Sequence, residues 1–153
     1  MRRTLALPSI GLTTLKLNAR ALADLLRATC NLAWARREIG SATPNALLQR
    51  QTVCAAAQAE DRGELVKRVA IAIPRAASRV PWRSDCLVQA LAAERWLASM
   101  GVPTVLFIGA RKDEHSQFLA HAWLKVGDTI VTGGNIREYA TLIGDRGTRS
   151  KRD

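Results

Sequence analysis

The sequence predicts an α+β fold, with a helical first half followed by one helix packed on a small antiparallel sheet. Three observations carry this. Apolar residues recur at helical spacing through the first half. Past Pro81 a capped helix leads into a short, apolar, β-rich run. Near the C-terminal end a Gly-Asp pair separates two apolar strands, the signature of a two-residue hairpin turn. At 153 residues the chain is the size of one domain and long enough to bury a core. We read residues 1–153 as a single domain, with a helical portion over 1–78, a core over 79–145 and a basic tail over 146–153.

From Leu12 to about Ile39 the residues Leu15, Ala19, Leu22, Leu25, Leu26, Leu32 and Ala33 keep a helical period. Gly40 and the segment from Ser41 to Pro44 break it, and Pro44 is placed to open a second helix around Ala46–Ala59. A third helical stretch spans Gly63–Ser78, which Pro74 should end or kink because proline lacks an N–H. Ser84 or Asp85 is placed to cap a helix from Cys86 to Met100, closed by Gly101 and followed by Pro103. Leu87, Ala90, Leu91, Glu94 and Leu97 give that helix a largely buried face. Thr104–Ala110 reads as a buried strand, and Gln117–Val126 alternates as a strand should. Gly127-Asp128 then turns the chain into Thr129–Val131.

The composition excludes several classes. No run approaches the roughly 18 apolar residues a membrane span needs. The apolar opening of the chain is broken by Pro8 and closed by Lys16, so it mimics a signal peptide without completing one. Three cysteines, Cys30, Cys54 and Cys86, cannot all pair internally and show no CxxC spacing, which argues against a disulfide framework and a zinc site. A cytoplasmic, reducing location follows as the expectation. The net charge of +10 favours acidic partners. Its clusters are Arg2-Arg3, Arg36-Arg37 and the tail, and no RNA-binding aromatic motif accompanies them, so a solvated basic surface is the plain reading.

Two residues carry the chemistry. Cys86 occupies the first turn of a helix, where free N–H groups and the partial positive charge stabilise a thiolate and hold an oxyanion. An inert cysteine on an apolar helix is the alternative. Cys30 and Cys54 read as core, mid-helix among Ala and Leu. Of the two histidines, His115 lies in a polar loop, whereas His121 interrupts the apolar strand Phe118–Leu124. A polar ring there must find a partner or cost stability. Cysteine at a helix start with histidine on a following strand is the arrangement that activates a thiol for acyl transfer.

These segments resemble the leader peptidases of lasso-peptide biosynthesis, a family with a transglutaminase-like core and papain-like chemistry. The matching elements are Cys86 in a Cys-Leu-x-x-Ala helix start, the strand ending in Ile108-Gly109, and the block His121-Ala122-Trp123, over roughly Arg75 to Leu142. The resemblance implies a cysteine peptidase that removes the leader from a ribosomally made precursor through a Cys thioester, with Cys86 as nucleophile and His121 as base. It requires no metal or cofactor. It implies a separate leader-recognition protein and a partner cyclase, with neither nucleic acid nor membrane as a partner. Transglutaminase-like transfer to an amine passes through the same thioester. A third reading, from another class, is a basic binding module with a degenerate site.

The family usually carries an Asp about a dozen residues after the His, and here that position is Gly133. Counting outward from the Gly127-Asp128 turn places His121 opposite Gly134. Asp128 would then lie about 23 Å away along the strand, too far to serve. Asn135 is the replacement candidate, orienting the imidazole through its amide oxygen; its alternative is a cap or turn residue, and a plain Cys-His dyad stays open. Trp123 shares a strand face with His121. It and Trp82 either line the peptide groove or belong to the core. Asp85 caps the helix in this reading.

Overall fold

The computed structural model of the chain describes residues 11–41 and 59–144. The expected helix around Ala46–Ala59, apart from its last residue, lies outside them, as do Cys54 and the basic tail. Among the described residues the architecture is α+β, three helices followed by a four-stranded antiparallel sheet.

Helix α1 spans Gly11–Ser41. Its buried stripe is Ala28, Leu32 and Ala35, with Leu25 and Ile39 packed beside it, a spacing that keeps side chains on one face. Leu22 and Leu26 fall off this stripe and are 59% and 61% exposed. Cys30 is also exposed rather than core. It stands two residues from both Ala28 and Leu32, which turns it roughly 200° from each. Its Ala and Leu neighbours in sequence are not its neighbours in space.

Helix α2 spans Ala59–Ala77 and buries Val66, Val69, Ala72, Ile73 and Ala76. It does not end at Pro74 but continues three residues beyond it. So close to the C-terminus, proline removes a single helical bond, and the buried Ala76 holds the last turn down. The guanidinium of Arg68 grips the Asp24 carboxylate with two hydrogen bonds, Nε to Oδ2 at 2.9 Å and Nη2 to Oδ1, joining α2 to α1. The hydrogen bond to Asp24 raises the Arg68 pKa further above its ordinary value.

Helix α3, Cys86–Ala98, is buried nearly all round: Val88, Ala90 to Glu94, Trp96 and Leu97 are all enclosed. Such a helix must be covered on two sides, here by α1 and α2 on one and the sheet on the other. Arg27 Nη2 donates to Ser99 Oγ at 2.8 Å. Arg95 lies 4.4 Å from the Trp34 ring centre and Arg27 5.2 Å from that of Trp96. Part of the basic surface is therefore laid over tryptophans. The helix ends where Gly101, at φ 71, takes the left-handed turn and Val102 N–H bonds back to Leu97 O. No helix among the described residues is long and apolar enough to cross a membrane.

The strands are β1 Val105–Lys112, β2 Phe118–Val126, β3 Thr129–Thr132 and β4 Ala140–Ile143, in the order β3-β2-β1-β4. Val126 pairs with Thr129 across the Gly127-Asp128 turn, as the sequence predicts. The register then departs from the simple count. Lys125 pairs with Ile130 but Leu124 with Thr132, because one extra residue on β3 makes a bulge. The edge strand β4 was not anticipated. All four of its residues are exposed, so it has no buried face to write an alternation into the sequence.

Leu124 and Val131 join the helical core, with Leu106 and Val126 against it. Side chains alternate along a strand, so Phe107, His121 and Trp123 belong to the opposite face. There they form a second layer of rings.

Candidate active site

Cys86 opens α3 with a half-buried free thiol. Asp85 occupies the N-cap position in an extended conformation, φ −64° and ψ 172°, but its side chain makes no capping hydrogen bond. The carboxylate instead pairs with Arg83 at 3.4 Å on the surface. The amides of the first turn thus keep their donors for another acceptor, and their partial positive charge falls on Cys86. The approach to the helix is fixed from the other direction, by Gln89 Nε2 donating to Ser84 O at 2.8 Å. Trp82, just upstream, is half-buried and packs against the helical core.

His121 sits half-buried on β2, paired with Gly109 of β1. Its Nε2 lies 2.7 Å from the carbonyl oxygen of Gly133. A carbonyl can only accept, so Nε2 carries a proton, and in the neutral ring Nδ1 is then the nitrogen with the lone pair. The Gly133 carbonyl thus fixes one nitrogen of the imidazole. Gly133 can come this close because it has no side chain. A Cβ built on it would stand 2.3 Å from the Trp123 Cβ, and its φ of +108° disfavours any other residue. An Asp side chain does not fit where the resembled family carries one; the main chain supplies the acceptor instead.

Two rings flank the imidazole. Trp123 lies 6.2 Å away between ring centres at 27°, and Tyr139 lies 4.8 Å away at 32°. Trp123 is fixed in turn by Phe107, stacked on it at 5.7 Å and 3°. Gly109 makes room for it, since a Cβ there would come within 2.8 Å of the indole ring. Trp123 is only 2% exposed, so the ring it offers is a wall for His121.

The structure thus brings His121 and Trp123 together and adds Tyr139 and the main-chain carbonyl of Gly133, a residue the sequence named only as the place of the family's Asp. The Gly133-Gly134 pair was the available signal for a close backbone approach; nothing marked Tyr139. Asn135 is placed differently. Its Oδ1 accepts from the Arg137 N–H at 3.2 Å, turning the loop that leads to β4. Among the described residues no hydrogen bond joins Cys86 to His121. His121 offers an imidazole fixed at one nitrogen, and Cys86 a free thiol at a helix N-terminus.

Residues 17–144 match the model of the transglutaminase-like superfamily, Transglut_core3. The chain belongs to that superfamily, and the match takes in the helices as well as the sheet. No curated protein and no solved structure is significantly similar to it.

Proposed function

We propose that the chain is a cytoplasmic cysteine peptidase that cuts the leader from a ribosomally synthesised lasso-peptide precursor. One observation carries the reading: in a transglutaminase-like domain, the Gly133 carbonyl holds His121 in a single tautomer with Nδ1 open. An open Nδ1 is what a general base for a thiol requires.

The steps follow from those groups. His121 Nδ1 takes the Cys86 proton, and the thiolate adds to the carbonyl before the core peptide. First-turn amides of α3 donate to the oxyanion. The tetrahedral intermediate collapses by breaking the C–N bond, and the imidazolium gives its proton to the departing core amine. Water, deprotonated by the same imidazole, attacks the thioester, which releases the leader acid and restores the thiol. Substrate access would come with a leader-recognition protein, and a cyclase would consume the freed amine.

Mass spectrometry of a precursor incubated with the chain and a leader-recognition protein tests this. A single cut at the leader–core junction, absent in Cys86→Ala, supports the reading; an intact precursor in both overturns it. Added amine appearing in the product would favour acyl transfer.

A further inference from the structure

We infer that Tyr139 is a positioning residue that clamps the His121 imidazole in the orientation its reaction needs. The inference rests on His121 being the base proposed above. One hydrogen bond to Gly133 fixes one atom of the ring, while the terminal torsion of a histidine side chain is broad and soft. A second constraint is needed to hold the plane, and ring faces supply it. Tyr139 stands 4.8 Å from His121 at 32°, a contact distance for aromatic rings, while Trp123 flanks it at 6.2 Å.

Tyr139 is itself secured. The Arg111 guanidinium lies 5.5 Å from the centre of its ring and pairs with Glu138 at 3.4 Å. The loop that delivers Tyr139 is turned by Asn135 Oδ1 on Arg137 N–H and by Tyr139 N–H on Ile136 O at 3.1 Å. Asn135 thus acts on the imidazole one step removed, by shaping the segment that brings the clamp.

The clamp works through the ring face, so an aromatic without the hydroxyl suffices. Nitrogen-15 imidazole spectra of the full chain test this in Tyr139→Phe, Tyr139→Leu and Tyr139→Met, the last two keeping apolar bulk so that at least one folds. Wild type and Tyr139→Phe are expected to show one His121 tautomer with a persistent Nε2–H signal. The aliphatic variants should show mixed tautomers and lose that proton to solvent about tenfold faster. Unchanged spectra in an aliphatic variant, or loss of the signal in Tyr139→Phe, overturn the clamp. These spectra need no substrate, so an inert wild type counts against the peptidase reading alone. With precursor, the aliphatic variants should lower kcat about tenfold at unchanged KM, and Tyr139→Phe should restore it.

Discussion

His121 donates from Nε2 to the Gly133 carbonyl at 2.7 Å, across a separation of 12 residues. In related chemistry a carboxylate or an amide side chain usually takes this place. A neutral main-chain oxygen can hold the ring as they do, but it adds no negative charge to stabilise an imidazolium. A backbone acceptor also cannot be deleted by substitution, so its surroundings are where it can be tested.

Gly133→Ala should cost about 3 kcal/mol in urea unfolding, from the strained φ and the collision with Trp123 together. Gly134→Ala is the control: its φ is +61° but nothing lies within 4 Å, so about 1 kcal/mol is expected. Gly133→Asp should not create a better site. The added side chain meets the same Trp123 Cβ, and both stability and cleavage should fall below those of wild type.

Cys86 and Cys30 can be alkylated in one experiment, since the first is half-buried and the second exposed. His121→Ala should slow iodoacetamide labelling of Cys86 about tenfold or more while leaving Cys30 unchanged. Peptide mapping of the labelled chain reads both rates. Equal labelling of Cys86 in the two proteins would separate His121 from thiol activation.

Asn135→Ala distinguishes a turn residue from a direct partner of the imidazole. Loss of its bond to Arg137 N–H should lower stability by about 1 kcal/mol and cleavage by less than about tenfold. A residue orienting the imidazole directly would cost roughly 10⁴-fold in turnover. Kinetics on the precursor, with an unfolding curve beside them, decides between the two.

The Arg68–Asp24 pair ties α2 to α1 with two hydrogen bonds, its side chains 27% and 14% exposed. Asp24→Ala should destabilise the chain by about 1–2 kcal/mol, a partly buried charged hydrogen bond discounted for solvent. A double-mutant cycle with Arg68→Ala should recover most of that as coupling. Activity should change little, since neither residue belongs to the site.

The α+β class was legible because the signals that define it are local. The 3.6-residue period wrote α1 and α2; the N-cap segment before Cys86 and Gly101 after it bounded α3; Gly127-Asp128 announced its own hairpin. The core stripe of α1 was read less well. With Leu and Ala on several faces, sequence cannot say which stripe finds a partner, and Cys30 was assigned inward for that reason. Strand β4 pairs through its main chain and buries no side chain, which leaves no pattern to read.

The site divides the same way. The sequence by itself determined that one cysteine heads a helix and that one histidine interrupts an apolar strand, because both are properties of a residue within its own segment. Which group would meet the imidazole was decided by tertiary structure. The extra residue on β3, opposite the Leu124–Lys125 step, shifts the β2–β3 register, and a positive-φ glycine then turns its carbonyl toward His121. The loop after it carries Tyr139 over the ring. A carbonyl is present at every residue, so its use as a ligand leaves no mark on residue identity; only the path of the chain selects it.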